Sequence, residues 1–238
     1  MCGIFAYLTK NLNIDINLLK NNGMKCQHRG PDNTKDTLFN FDEWKLYYMF
    51  HRLAINGLSA AGDQPININN KSIICNGEIY NYKYLSNKYN IILSYGCSDC
   101  EILIKLYEKI GINFIKELDG VFSFVLFDFM TKELIIGHDP VGVRSLYWFK
   151  NTESFGIASE LKCLVDLNDN IKMFPPGTYC IYDLEKNMME MEQYYNFIYP
   201  ILNTSEDILI DNIKNKLTKA VNKRLMSDKP VGCLLSGG

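Results

Sequence analysis

The chain has 238 residues, a formal net charge of −2 and 47% hydrophobic content, enough for one large buried core or a domain and a half. The near-neutral charge leaves no nucleic-acid footprint. No apolar run approaches the ~18–20 residues that a membrane-spanning helix needs, and the short stretch Ile4–Leu8, with no basic region before it, is not a secretion signal.

The expected elements follow in chain order. Phe5–Leu8 reads as an opening strand, and Ile14, Leu18 and Leu19 as a helix that runs out near Gly23. The polar segment Gln27–Asp32, with Gly30 and Pro31, reads as loop. Leu46–Ile55 is a strand ending in Arg52-Leu53-Ala54-Ile55, and Ser72–Cys75 is a strand stopped by the turn-forming pair Asn76-Gly77. Ser98–Ile110 is a helix with a Ser98/Glu101 capping box, an apolar stripe of Ile102, Leu103, Leu106, Tyr107 and Ile110, and Gly111 beyond its end. Strands follow at Val121–Asp128, Lys132–His138, Ser145–Lys150, Phe155–Ser159, Thr178–Asp183 and Met188–Tyr194. Short turns between them imply antiparallel pairing. Several are apolar on both faces, which two packed sheets with outer helices would satisfy: an α+β fold. Near Pro200 the character shifts. Ser205–Met226 reads as a helix with Ile213, Leu217, Val221 and Leu225 on one face, and Pro230–Leu235 as a buried strand running into Ser236-Gly237-Gly238, like the opening of a phosphate-binding turn. This divides the chain into residues 1–200 and 201–238.

Cys2 is the residue with the clearest chemistry. Removal of Met1 would place a thiol and a free α-amine on one residue, a nucleophile with its own base. The Asn76 side-chain amide and the Gly77 N–H are candidate donors to a developing oxyanion. Arg52 is a candidate bidentate partner for a carboxylate. Glu78 and Asp99, the latter in the first helical turn, are candidate acceptors for an ammonium. Together they describe a pocket for an α-amino acid. His28, Arg29 and Asp32 brace a loop near the nucleophile, the base being already supplied. The eight cysteines are expected to be reduced thiols in a cytoplasmic compartment. Cys97 and Cys100 form a lone CxxC without paired histidines, so no metal site is expected.

Met1-Cys2-Gly3-Ile4, His28-Arg29-Gly30-Pro31-Asp32, Arg52-Leu53-Ala54-Ile55, Gln64-Pro65, Asn76-Gly77-Glu78-Ile79-Tyr80-Asn81 and Ser98-Asp99-Cys100-Glu101, in this order, resemble the glutaminase domain of glutamine-dependent asparagine synthetases, a class II glutamine amidotransferase. The resemblance covers essentially the whole chain. It implies an N-terminal-nucleophile hydrolase fold, an αββα sandwich of two antiparallel sheets. It further implies that Cys2 forms a glutamyl thioester, that Asn76 and Gly77 form the oxyanion hole, that Arg52 holds the glutamine α-carboxylate, and that Glu78 and Asp99 hold its α-ammonium. Backbone groups of Leu53 and Ile55 would line the pocket. Leu234, Ser236, Gly237 and Gly238 resemble the start of the family's ATP loop. The glutaminase step implies no cofactor, whereas the complete synthetase would use ATP, Mg²⁺ and aspartate. A second copy of the chain is a candidate partner. The loop's usual Asp and Ser do not follow here, so the chain is expected to be a glutaminase only.

Two departures stand out. His138 and Ser145 replace the family's usual Arg and Pro in a segment expected to lie outside the chemistry and to affect packing or domain contact. Three other readings share some of these features: the glutaminase half of another amidotransferase, a synthetase-like relative, and a binding domain without turnover. Ser236-Gly237-Gly238 argues against the first.

Overall fold

The computed structural model describes residues 1–201, 203–235 and 237. In chain order the elements are β1 (Gly3–Thr9), α1 (Ile16–Met24), β2 (Asn33–Phe41), β3 (Trp44–Arg52), β4 (Ile66–Ile68), β5 (Lys71–Ile79), α2 (Tyr82–Lys88), α3 (Glu101–Ile110), β6 (Gly120–Asp128), β7 (Glu133–His138), β8 (Tyr147–Lys150), β9 (Ser154–Ala158), β10 (Lys172–Met173), β11 (Thr178–Asp183), β12 (Met188–Gln193) and α4 (Glu206–Arg224). The strands form two six-stranded sheets, ordered β10-β8-β9-β1-β3-β2 and β12-β11-β7-β6-β5-β4. Every pairing is antiparallel. Among the described residues no helix is long and apolar enough to cross a membrane.

The period-two alternation of strands builds three layers of core. Ile4, Ala6 and Leu8 of β1 and Leu46, Tyr48 and Phe50 of β3 point to the middle, where they meet Ile74 of β5, Val125 and Phe127 of β6, and Leu134 and Ile136 of β7. The opposite faces bury their own sets. Phe5, Tyr7, Tyr47 and Met49 pack with Leu19 of α1. Ile73, Cys75, Phe122 and Phe124 pack with Ile102, Leu103 and Leu106 of α3. This is why the strands read as apolar on both faces.

The structure differs from the sequence expectations in several places. Asn76 and Gly77 do not stop the strand but lie inside β5, which runs on to Ile79. A Cβ on Gly77 would collide with the Val121 carbonyl and stand 2.6 Å from the Phe122 Cα. Glycine is thus required there by close strand approach, not by a turn. The helix expected from Ser98 starts at Glu101, with Cys100 at its N-cap position. No capping box forms, because the Glu101 carboxylate bonds to Ser94 and Lys105 instead. Asp99 therefore precedes the helix. β2, too polar to be read from sequence, is an edge strand with alternating partial burial. The C-terminal helix forms, but its stripe is uncovered: Ile213, Leu217, Val221 and Leu225 are all exposed. The strand expected at Pro230–Leu235 is absent, and Val231, Leu234 and Leu235 are exposed. A strand needs a neighbour to pair with, and none of the described residues supplies one.

Candidate active site

The inward-facing rows of the two sheets lose their apolar character at one end. One step before Ile4 in the alternation stands Cys2, one step after Phe50 stands Arg52, and one and two steps after Ile74 stand Asn76 and Glu78. These four side chains line one pocket of about 450 Å³, counted out to its mouth, together with Met1, Leu53, Ile55, Asn56, Gly77, Asp99 and Arg144. Every glutaminase-site residue expected from the sequence is thus in one place. The rigid ends of sandwich strands supply most of them.

The Cys2 sulfur is seated on the backbone of Leu53: it accepts from the Leu53 N–H at 3.4 Å and lies 3.7 Å from the Leu53 carbonyl. Burial pushes the thiol above its ordinary pKa. A thiol in this setting needs a base to become a nucleophile. The Arg29 Nε donates to the Cys2 carbonyl at 2.9 Å, and Glu160 holds both Arg29, at 3.2 Å, and His28, at 3.1 Å. The Asp32 carboxylate accepts from the Ala54 N–H at 2.7 Å. Arg29 and Asp32 accordingly brace the backbone beside the nucleophile, whereas His28 is exposed and, among the described residues, reaches only the Glu160 carboxylate.

Two N–H groups on β5 face the pocket with nothing to donate to. The Asn76 side-chain nitrogen is buried and has no partner among the described residues. The Gly77 case follows from the ladder. Gly77 is registered opposite Phe122, whose N–H and carbonyl both bond to Asp139 on the far side of β6. In an antiparallel sheet this turns the Gly77 N–H and carbonyl away from β6, toward the outer edge. On that edge Gln64 takes the Cys75 carbonyl at 3.2 Å and N–H at 2.5 Å, and Asp99 takes the Ile79 N–H at 2.6 Å. Between them the Gly77 N–H donates to no side chain or loop carbonyl among the described residues.

Arg52 is buried, which excludes a surface arginine at a strand end. Its guanidinium is anchored by the Ser59 carbonyl at 2.8 Å, by Asp63 at 2.6 Å and by the Gly57 carbonyl. Three of its five N–H donors are thereby taken, leaving the Nε edge for a carboxylate. Glu78 and Asp99 both carry carboxyls above their ordinary pKa. Burial is the main cause for each, and the Glu78 charge adds to the rise of Asp99 to about 6. Two carboxyls raised in this way gain most from a bound cation.

Leu53 and Ile55 line the pocket, but their backbone groups are partly committed: Leu53 to the Cys2 sulfur, and the Ile55 carbonyl to the Asp228 N–H at 3.0 Å. Two pocket residues escaped the sequence reading. Asn56 presents a buried side-chain nitrogen without a partner among the described residues. Arg144 lies in the pocket with its Nη2 3.9 Å from Glu78 and its Nε buried without a partner among the described residues. The segment expected to lie outside the chemistry therefore reaches it. Asp139 shapes that segment by accepting from the N–H groups of Val141, Gly142 and Val143 at 3.0, 2.7 and 3.1 Å. His138 lies 2.8 Å from the Arg144 carbonyl. An acidic residue followed by glycine in a loop is the one sequence signal for such a nest.

For the ATP-loop residues, Ser236 and Gly238 lie outside the described residues. Leu234 is fully exposed, and among the described residues, chain neighbours aside, no atom stands within 4 Å of where a Cβ would lie on Gly232 or Gly237. Among the described residues no side chain packs around Leu234 or Gly237.

The sandwich is first recognisable as the N-terminal-nucleophile hydrolase fold of glutamine amidotransferases. It superposes on the glutamine phosphoribosylpyrophosphate amidotransferase of B. subtilis with a TM-score of 0.66 at 19% identity, covering 82% of this chain and 49% of that one. A family model described as a glutamine amidotransferase domain matches residues 1–174, and the chain belongs to that family. Residues 212–238 match a second model, asparagine synthase. The chain is 36% identical to a probable glutamine-hydrolysing asparagine synthetase of Acanthamoeba polyphaga mimivirus, and 39% identical to a nodule glutamine-hydrolysing asparagine synthetase of Pisum sativum. Both alignments cover all of this chain but only 47% and 40% of the relatives, so the chain spans less than half their length.

Proposed function

We propose that the chain hydrolyses the side-chain amide of glutamine at Cys2. Loss of Met1, which lines the pocket and is half exposed, moves the α-amine onto Cys2. Burial lowers the pKa of the α-amine that Met1 carries, so an amine in this neighbourhood is a readier base. That amine takes the thiol proton as the sulfur bonds to the amide carbon, and it returns the proton to the leaving nitrogen as ammonia departs. Water then adds to the thioester carbon, the C–S bond breaks, glutamate is released and the sulfur takes up a proton from the water to restore the thiol. Arg52 holds the α-carboxylate of glutamine, and Glu78 with Asp99 holds its α-ammonium.

The observation that carries this reading is the pair of unengaged donors on β5, the Asn76 side-chain amide and the Gly77 N–H, in the pocket that also holds the Cys2 sulfur. Buried donors are normally paired. Donors left open beside a nucleophile suit an oxyanion that exists only during reaction. Where a synthetase domain accompanies this one, the ammonia would be delivered to aspartate, a reading supported by the match of residues 212–238 to asparagine synthase. All eight cysteines are unpaired, which suits a reducing, cytoplasmic setting.

The test is glutamate release from glutamine by the purified chain, with its N-terminus verified by intact mass. Release by the trimmed chain, absent when Met1 is retained and absent in Cys2→Ala, is the expected result. Release that survives Cys2→Ala would remove Cys2 from the mechanism.

A further inference from the structure

Beyond the residues that line the pocket, one contact reaches it from the far end of the sequence. The Asp228 N–H donates to the Ile55 carbonyl at 3.0 Å, and the Asp228 carboxylate accepts from the Gly57 N–H at 2.7 Å. The two bonds straddle Asn56, whose buried side-chain nitrogen has no partner among the described residues and which lines the pocket. The Gly57 carbonyl, on the other side of the same residue, receives the Arg52 guanidinium. Gly57 has little room to shift: its φ is +62°, and a Cβ there would run into the Cys97 carbonyl. The next residue repeats the grip. Lys229 Nζ lies 3.3 Å from the Asp32 carboxylate, which also accepts from the Ala54 N–H. The last turn of α4 is itself fixed to the sandwich, with Lys223 Nζ 2.6 Å from Asp119 and Arg224 5.1 Å above the Tyr80 ring.

Asp228 and Lys229 belong to the stretch that matches the asparagine synthase model, not to the amidotransferase match. We propose that Asp228 is a positioning residue of the glutamine pocket, holding the Ile55–Gly57 loop so that Arg52 and Asn56 meet the substrate carboxylate. The proposal rests on the glutaminase reading above. It gives the synthetase-matching segment a direct hold on glutamine affinity. Asp228 touches no substrate. Its influence passes through the backbone of Gly57 to the guanidinium, so it acts on binding and leaves the chemical step alone.

The experiment compares Asp228→Ala and Asp228→Asn with the unmodified chain. The first reading is hydrogen exchange over residues 53–58; the second is steady-state glutamine hydrolysis. In Asp228→Ala, exchange of this loop should speed up, and KM for glutamine should rise about fivefold with kcat held within about twofold, as expected for loss of a partly exposed charge-assisted bond. Asp228→Asn keeps a side-chain carbonyl that accepts from Gly57, so it should restore most of both. Glutamine with its α-carboxylate converted to a carboxamide does not use Arg52 as an ion pair, so its KM should move much less. Unchanged exchange, an Asn variant no better than Ala, an equal loss with the carboxamide, or a fall in kcat at constant KM would each overturn the proposal. Absence of Cys2-dependent release from the unmodified chain would instead sink the glutaminase reading, while the exchange data would still decide whether Asp228 holds the loop.

Discussion

The two ends of the inter-sheet core share one alternation and differ in what it carries. Toward one end β1, β3, β6 and β7 bring Leu8, Leu46, Phe127 and Leu134 together, and Phe127 packs against Phe41 with ring centroids 4.8 Å apart. At the other end the same faces carry Cys2, Arg52, Asn76 and Glu78. The apolar end gains by closing, because most of its side chains need contact alone; the buried hydroxyls of Tyr48 and Ser72, without a hydrogen-bond partner among the described residues, are the exceptions. The polar end gathers unpartnered donors around a nucleophile and two carboxyls whose pKa burial raises, features that cost stability and that a bound ligand would offset.

The sharpest way to break this contrast is to mutate one residue at each end. Cys2→Ala should lower glutamate release by about three orders of magnitude or more, with little change in thermal stability. Phe127→Ala should do the reverse, costing about 3–5 kcal/mol of stability with residual activity in whatever remains folded. Thermal unfolding and turnover measured on both variants would check it. If Cys2→Ala destabilised the fold as Phe127→Ala does, the two ends would not be different in kind.

Asn76→Ala asks the next question. Its nitrogen has no partner among the described residues, so its loss leaves none of their groups unpaired and should barely lower stability, although Asn76 is buried. Turnover should fall about 10²–10³-fold in kcat, the usual loss for one oxyanion donor, with KM nearly constant. A large loss of stability at unchanged kcat would make Asn76 a structural residue.

How much of this end was legible in the sequence depends on how each residue arrives there. Cys2 and Arg52 arrive by strand alternation, and their strands are readable from apolar runs, whereas Glu78 arrives on the part of β5 beyond the expected strand end. Asn76-Gly77 was read as a turn because the pair favours one locally. Nine residues of pairing with β6 override that preference. Arg144 carries no sequence signal of its own, because its loop is placed by the carboxylate of Asp139, a tertiary contact with no periodic trace. The C-terminal strand failed for the opposite reason: the pattern is real, but a β-pattern is an instruction to pair, and nothing in the described residues pairs with it.

Arg52→Ala should act on both sides of the comparison at once. It removes the anchor bonds to Asp63, Ser59 and Gly57, so stability falls measurably. It also removes the carboxylate grip, weakening glutamine by roughly 1.5–3 kcal/mol, about ten- to a hundredfold or more in KM. An unchanged KM would sink its assignment.

The mildest test uses pH. Folding raises the Asp99 carboxyl to about 6, mainly through burial, so between the ordinary carboxylate range and about 6 the folded state holds a proton that the unfolded chain has released. The unliganded fold therefore gains stability from this group as pH falls through about 6. Glutamine binding should move the other way, because only the ionised carboxylate attracts the α-ammonium. Measured as glutamine affinity on Cys2→Ala, where the titration of the catalytic amine has no turnover to affect, binding should weaken progressively below about pH 6, and Asp99→Asn should flatten that limb while lowering affinity throughout. Opposite signs for stability and binding over one pH window are hard to obtain from a carboxylate that merely starts a helix, which would be stabilised by its charge. Parallel trends would return Asp99 to that structural role.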